Sequence, residues 1–185
     1  MKTIGILLAG GQSRRYGSPK AFAVLEGKYF YERAYEALTA VSDHVVVVSR
    51  PELISDFRAG MDVITDLPSV AGKGPLAGIY TAMSERPAEC YVVLPCDMPY
   101  IGQKELTVFM QLSNNAADIT AVRTDSERIP LFSRWNGNMK ELLERELDDG
   151  QLGVMSFLKK VTTDWMDASR IHPDKHIFRN INTSD

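Results

Sequence analysis

Short apolar runs alternate with amphipathic segments along the first 113 residues of the chain. Within each run the apolar side chains are continuous rather than alternating with polar ones, and valine and isoleucine are frequent. This pattern is typical of strands that are buried on both faces of a parallel sheet. It predicts four strands, at residues 4–8, 45–48, 63–64 and 91–94.

The segments between these runs have the residue spacing of helices. Residues 29–41 place apolar side chains on one face and charged side chains on the other. Residues 75–85 begin with Pro75, which fits the first turn of a helix, and residues 102–113 follow the fourth run. The order β-α-β-β-α-β-α requires crossover connections, so we predict an α/β fold with a mostly parallel central sheet.

The pattern changes after residue 113. Further strands are predicted at residues 119–122, 129–132, 163–166 and 177–181, and helices at residues 138–147 and 152–161. No linker is long enough to divide the chain, so we predict a single domain over residues 1–185. In this domain the second half, residues 114–185, is expected to complete one face of a cleft.

Composition narrows the class of protein. A hydrophobic content of 44% and a charged content of 24% are typical of a globular domain. The net charge of −3 argues against a general nucleic-acid binder, and no segment approaches the roughly 20 apolar residues of a membrane span. Cys90 and Cys96 are too few for a disulfide framework, so we expect buried, reduced thiols in a cytoplasmic protein.

The first apolar run ends in glycines and cations, since Gly10 and Gly11 are followed by Arg14, Arg15 and Lys20. Ligands of doubly wound sheets bind beyond the carboxyl ends of the strands. Glycines allow close approach of the backbone, and amide hydrogens beside cations suit phosphate. The Walker and dinucleotide glycine patterns are both absent. The stretch predicts an anion-binding turn, with a solvated turn that carries surface arginines as the alternative.

Two aspartates follow other apolar runs. Asp97 lies between Pro95 and Pro99 just past the fourth run, where a carboxylate is well placed to hold Mg²⁺ on a bound nucleotide. Asp66 follows the third run, where it could accept a hydrogen bond from a base or a ribose. A turn aspartate that caps local amides is the alternative at both positions.

The chain ends with two asparagines on either side of one isoleucine. Asn180 and Asn182 would share one face of an extended segment, where amides can bind a polar heterocycle or phosphate. The spacing alone favours the alternative of a polar C-terminal tail.

Five motifs, in order along the chain, resemble those of nucleotidyltransferases that act on the molybdenum cofactor. They are LLAGGQSRRYGSPK at residues 7–20, VITD at 63–66, GPLAGI at 74–79, LPCDMP at 94–99 and NINT at 180–183. The first motif is shared with cytidylyl- and sugar-nucleotidyltransferases, whereas the later ones together are more specific. The chain as a whole resembles molybdenum cofactor guanylyltransferases.

This resemblance implies a Rossmann-like, three-layer αβα sandwich similar to that of nucleotide-diphospho-sugar transferases. It implies that residues 1–113 bind the nucleotide and residues 114–185 face the acceptor. The implied reaction transfers GMP from GTP to molybdopterin, releases pyrophosphate and uses Mg²⁺. Partner proteins that deliver molybdopterin or receive the finished cofactor are expected, whereas nucleic-acid and membrane partners are not.

The resemblance also implies roles for individual residues. Asp97, Lys20 and Arg15 would be catalytic, and Asp97 would also hold the metal. Asn180 and Asn182 would contact the acceptor. GTP would be bound by Leu8, Ala9, Gly10, Gly11, Lys20, Asp66 and Asp97.

Two positions depart from the family pattern. Pro19 stands where an aspartate often precedes the lysine, and Ser49 or Arg50 stands where an asparagine often follows the second strand. Because the second position contacts the nucleotide in the family, a cytidylyltransferase acting on molybdopterin or another small phosphorylated acceptor stays open. A non-catalytic nucleotide-binding or partner-docking module on the same fold is the alternative from another class.

Overall fold

The computed structural model describes residues 1–13 and 17–182. Its strands, in chain order, are β1 (Thr3–Leu8), β2 (Val24–Leu25), β3 (Lys28–Tyr29), β4 (His44–Val48), β5 (Asp62–Ile64), β6 (Cys90–Pro95), β7 (Ile119–Arg123), β8 (Arg128–Asn136) and β9 (Thr163–Asp167). The α-helices are α1 (Phe30–Thr39), α2 (Pro75–Glu85), α3 (Gln103–Leu112), α4 (Met139–Asp148) and α5 (Val154–Leu158). Short 3₁₀ helices cover Lys20–Phe22, Pro51–Asp56, Ala168–Arg170 and Lys175–Phe178.

Seven of these strands form one sheet in the order β5-β4-β1-β6-β8-β7-β9, while β2 and β3 pair as a separate hairpin. Strands β5, β4, β1 and β6 are parallel to one another, and β7 is parallel to β9. Within the sheet, β8 alone runs antiparallel to its neighbours. The first 113 residues supply four adjacent strands, and the rest of the chain supplies the other three.

Helices cover both faces of the sheet. One apolar cluster joins α1 and α3 to one face through Ala34, Leu38, Leu106 and Phe109. The other cluster joins α2, α4 and α5 to the opposite face, where Trp135 of β8 stacks on Phe157 with ring centroids 5.4 Å apart. The three layers and the mostly parallel sheet confirm the predicted fold class.

The predicted strands of the first half and its three predicted helices are all present, with bounds shifted by two residues at most. The strands predicted at residues 119–122, 129–132 and 163–166 are also present, and β9 is an edge strand. Cys90 and Cys96 are buried and form no disulfide, as predicted. No helix in the described part of the chain is both long and apolar enough to cross a membrane.

The strand predicted at residues 177–181 is wrong. The side chain of Asp174 accepts a hydrogen bond from the amide of His176 at 2.9 Å and starts the 3₁₀ helix Lys175–Phe178. Phe178 then packs into the core, where its ring stacks on Phe132. Local capping and one buried aromatic ring therefore decide this segment, rather than its alternating pattern.

The helix predicted at residues 152–161 is shorter than expected, because α5 ends at Leu158. There the chain must turn back to begin β9, and the Thr163 hydroxyl donates to the Leu158 carbonyl at 2.7 Å. The β2–β3 hairpin was not predicted, since two-residue strands are too short to show any periodicity.

Candidate active site

The carboxyl ends of four parallel strands lie side by side at one edge of the sheet. Leu8 of β1 pairs with Val48 of β4 and with Pro95 of β6, while Val48 pairs with Ile64 of β5. The loops that follow these strands surround a cavity of about 570 Å³. It is lined by residues from all four loops, by the start of α2 and by Leu131 of β8. The site therefore lies where ligands of doubly wound sheets bind.

The loop after β1 is held by hydrogen bonds to its neighbours and leaves open space at Gly11. The Ala9 amide donates to the Val48 carbonyl at 2.9 Å, and the Ser49 hydroxyl donates to the Ala9 carbonyl at 3.2 Å. A Cβ added to Gly11 would meet no atom of the described residues within 4 Å. This backbone is thus fixed on its protein side and open on its cavity side, as an anion-binding turn requires.

Lys20 enters the cavity from a 3₁₀ turn that begins after Pro19. The ring of Pro19 sets a φ of −60°, and the Lys20 amide donates to the Ser13 hydroxyl at 3.0 Å. The Lys20 ammonium lies 3.2 Å from Asp97 Oδ2 and donates to Asn182 Oδ1 at 2.8 Å. Only 14% of the Lys20 side chain is exposed, so this cation is directed into the site rather than into solvent.

The loop that carries Asp97 is held from three sides. The Cys96 amide donates to the Leu8 carbonyl at 3.0 Å, and Arg33 Nε donates to the Pro99 carbonyl at 2.9 Å. The Ile181 amide donates to the Asp97 carbonyl at 2.8 Å. With its backbone held in this way, the carboxylate is presented to the cavity in one orientation.

The Asp97 carboxylate has an unused oxygen. Oδ2 pairs with Lys20, whereas Oδ1 is buried and has no hydrogen-bond partner among the described residues. Burying a polar oxygen without a partner costs free energy, and natural proteins keep such atoms mainly where a ligand or ion completes them. The donor set therefore fits a hard divalent cation.

Asp66 lies at the opposite end of the cavity, beyond β5. Burial raises the pKa of its carboxyl group, and a hydrogen bond with the backbone of Gly72 partly offsets that effect. Gly74 begins α2 with φ at +79° and ψ at −163°, a conformation essentially restricted to glycine. In α2, a Cβ on Gly78 would lie 3.1 Å from Leu8 and 3.7 Å from Asp66 Oδ1. These glycines let the helix approach the strand ends that hold Asp66.

The structure brings most of the predicted site residues together, but not all of them. Those expected to bind GTP all line the same cavity: Leu8, Ala9, Gly10, Gly11, Lys20, Asp66 and Asp97. Asn182 contacts Lys20, whereas Asn180 is exposed at the surface. Arg15, together with Arg14 and Tyr16, lies outside the described residues, as does Thr183 of the last motif.

Sequence reasoning missed several residues that shape the site. Ser13 holds the amide of Lys20, and Arg33 reaches from α1 to hold the Asp97 loop. The serine inside the glycine-rich motif was a signal that could have been used. Arg33 gave no signal, because its partner is a backbone carbonyl 66 residues away in the sequence.

Residues 5–165 match the family model of the MobA-like NTP transferase domain. The chain belongs to this family of nucleotidyltransferases. A relative from Geobacillus sp. (strain WCH70), named as a probable molybdenum cofactor guanylyltransferase, is 38% identical over 98% of this chain and 94% of its own length. The resemblance drawn from the sequence motifs is thereby confirmed.

Solved structures agree with this assignment. The molybdopterin-guanine dinucleotide biosynthesis protein A from Archaeoglobus fulgidus is 26% identical, with a TM-score of 0.80 over 98% of this chain and 93% of that protein. CMP:2-keto-3-deoxy-manno-octonic acid synthetase has a TM-score of 0.67 at 14% identity, over 90% of each chain. The second likeness concerns the fold alone, and it extends the predicted architecture to nucleotidyltransferases with other substrates.

Proposed function

We propose that this chain transfers GMP from GTP to molybdopterin, forming the guanine dinucleotide of the molybdenum cofactor and releasing pyrophosphate. The names of its relatives support this choice of substrates. The observation that carries it is the pairing of Lys20 with Asp97 at 3.2 Å inside the cavity. A sheltered cation and a carboxylate with an unused oxygen meet at one point, which is what a triphosphate and its metal need.

The bond changes are those of an in-line phosphoryl substitution. An oxygen of the terminal phosphate of molybdopterin forms a bond to the α-phosphorus of GTP. The bond from that phosphorus to the oxygen bridging the α- and β-phosphates breaks, and pyrophosphate leaves with the electron pair. The attacking oxygen is already anionic, so no covalent enzyme nucleophile is needed. Catalysis then depends on positioning and on stabilisation of charge.

The residues divide these tasks between them. Lys20 would exchange its contact with Asn182 for the phosphates and stabilise the charge that develops on pyrophosphate, with Arg15 as a second cation. Backbone at Gly10 and Gly11 would lie against the nucleotide. Asp66, at the far end of the cavity, would bind the nucleoside part of GTP.

We propose Mg²⁺ as the cofactor, held by Asp97. The buried, unpartnered Oδ1 atom supports this choice. No group of three or more acidic, histidine or cysteine side chains suited to a metal occurs in residues 1–13 and 17–182. Magnesium commonly takes only one or two carboxylates and completes its shell with phosphate oxygens and water. When bound, the ion would neutralise charge on the phosphates.

Asn180 and Asn182 are proposed to contact the acceptor. The Ile181 amide between them donates a hydrogen bond to the Asp97 carbonyl at 2.8 Å, so this segment lies at the edge of the site. We also propose that partner proteins deliver molybdopterin and accept the product. The proposed location of the protein is the cytoplasm.

Nucleotide-specific turnover tests the function directly. The protein is incubated with molybdopterin, Mg²⁺ and GTP, CTP or ATP, and pyrophosphate release is measured. We expect release with GTP only. Release with CTP alone would instead assign a cytidylyltransferase. Binding of GTP without turnover in the presence of authentic molybdopterin would assign a non-catalytic module.

A further inference from the structure

Arg50 follows the carboxyl end of β4 and lines the cavity. Its Nη1 atom lies 3.0 Å from Glu52 Oε1, so one side of the guanidinium is held by an ion pair. Its Nε atom is buried and has no acceptor among the described residues. The neighbouring Ser49 is engaged, because its hydroxyl and its amide both donate to backbone carbonyls. Of these two residues, Arg50 is the one with a side-chain donor that has no acceptor among the described residues.

A guanidinium presents Nε and Nη2 along one edge as a rigid fork that suits a pair of acceptors. Arg86 uses this same edge in full, since its Nε and Nη2 each donate to Asp62 at 2.7 Å. In Arg50 the corresponding edge makes no hydrogen bond within the described part of the chain. An unpaired, partly buried fork in a cavity is complementary to a ligand with two adjacent acceptors.

The order of the strands indicates which part of the nucleotide meets Arg50. The strands lie side by side in the order β5-β4-β1-β6, so the residues in the loops after them lie in the spatial order Asp66, Arg50, Gly10, Asp97. Neighbouring strands are about 4.8 Å apart, so β5 and β6 are separated by about 14 Å. Lys20 lies beside Asp97 and marks the phosphate end. The base therefore falls at the other end, between Arg50 and Asp66.

We propose that Arg50 reads the guanine base by donating from Nε and Nη2 to its N7 and O6 atoms. This inference rests on the proposed function and names a residue that selects GTP. Guanine carries two acceptors on this edge and donors on the adjacent one, so Arg50 and the Asp66 carboxylate match it together. Adenine would set its amino group against the guanidinium, and cytosine lacks the N7 and O6 pair.

Binding of base-modified nucleotides tests this contact without molybdopterin. Affinities for GTP and for 7-deaza-GTP, which lacks N7, are measured by calorimetry on the wild type, Arg50→Gln and Arg50→Lys. The wild type should bind GTP about 5- to 100-fold more tightly than 7-deaza-GTP. In Arg50→Gln the two affinities should become equal, because the same interaction is already lost. Arg50→Lys should keep only part of the preference, since an ammonium can donate to these acceptors but does not replace the fork.

A matched control is Arg58→Gln, at an exposed position outside the residues that line the cavity. It should keep the wild-type ratio. Inosine triphosphate provides a second control, because it lacks only the 2-amino group, and its penalty should be the same in wild type and Arg50→Gln.

Two results would overturn the role of Arg50. They are equal wild-type affinities for GTP and 7-deaza-GTP, or an Arg50→Gln variant that keeps the wild-type ratio. If Arg50→Gln does not fold, equal wild-type affinities would still overturn the role, and Arg50→Lys provides the variant comparison. A wild type that prefers CTP to GTP would contradict the proposed function itself, so the two failures are distinguishable.

Discussion

Asp62 and Asp66 are four residues apart, at opposite ends of β5, and their surroundings differ completely. Asp62 lies at the amino end, where its two oxygens accept from Arg86 at 2.7 Å and one of them lies 2.7 Å from His44 Nε2. The hydrogen bonds from Arg86, with a smaller contribution from His44, lower the pKa of Asp62 despite its partial burial.

Asp66 lies beyond the carboxyl end of the same strand. No side-chain cation pairs with it in the part of the chain that the structure describes, and burial raises the pKa of its carboxyl group. The comparison shows how one residue type serves two purposes in one sheet. At the amino edge a carboxylate meets its counter-charges within the protein and supports the fold. At the carboxyl edge Asp66 has no side-chain cation among the described residues, so it can respond to a ligand.

The largest effect on function is expected from Asp97→Asn, at the same carboxyl edge as Asp66, where the carboxylate pairs with Lys20 inside the cavity. Loss of one charged oxygen should lower kcat by about 10²- to 10³-fold, because a preorganised charge in the site is lost. Pyrophosphate release and thermal unfolding are measured together, and the fold should persist. The matched control is Asp62→Asn, which should leave kcat unchanged. A near-normal rate for Asp97→Asn with Mg²⁺ would remove Asp97 from the chemistry.

Lys20→Met should have the next largest effect. It keeps most of the side-chain volume but removes the cation that faces the phosphates, so kcat/KM should fall about 10²-fold. Lys28→Met is the control, because Lys28 forms an exposed ion pair with Glu36. An unchanged rate and unchanged GTP affinity in Lys20→Met would place Lys20 outside the site.

Asp62→Asn should act on stability alone. It breaks the paired hydrogen bonds to Arg86, so the free energy of unfolding should fall by about 1–3 kcal/mol at pH 7. Chemical denaturation measures this change. An equal loss of turnover in the folded variant would mean that the amino edge also takes part in function, and the contrast would fail.

Asp66→Asn should show the opposite sign. Removing a half-buried carboxylate without a counter-charge should raise the free energy of unfolding by about 0.5 kcal/mol, while GTP binds about tenfold more weakly. Both quantities are measured on the same preparation. A variant that loses stability and keeps its GTP affinity would show that Asp66 is a structural turn residue.

The smallest effect is the pH dependence of the Asp62 contribution. Its folded-state pKa lies below the unfolded value of about 3.9, so the stabilisation is complete above that pH and is lost as pH falls through the folded-state pKa. The stability difference between wild type and Asp62→Asn should therefore shrink as the pH falls below about 4. A difference that grew below that pH would contradict the assigned sign.

Much of the fold was predictable because its strands are long enough to carry a pattern. The valines of β4 and the apolar run of β6 indicate burial on both faces, and the structure confirms it. The β2–β3 hairpin turns at Glu26 and Gly27, which both have positive φ. Glu-Gly is not among the strong hairpin signals, so the turn could not be predicted. The segment that contains Phe178 was likewise predicted as a strand from its pattern. It forms a 3₁₀ helix instead, and the Phe178 ring packs on Phe132 in the core.

The site, like the fold, was predictable from the sequence only in part. The glycine loop, Lys20, Asp66 and Asp97 could be named from the sequence, because each follows a strand whose end the apolar pattern marks. The pairing of Lys20 with Asp97 could not be predicted from the sequence. Lys20 and Asp97 are 77 residues apart, and only the parallel register of β1 with β6 brings their loops together. The supports from Ser13, Arg33 and Ile181 likewise depend on contacts between distant segments.

By itself, the sequence determined which residue types stand at the ends of the buried strands, because local patterning and composition carry that information. Only the tertiary structure decided which of them have their charges satisfied. Asp62 and Asp66 are the same residue in one short segment, yet Arg86 returns from the end of α2 to one of them and no side-chain cation among the described residues reaches the other. Counter-charges are set by distance in space, and that distance exists only once the sheet and its helices are assembled.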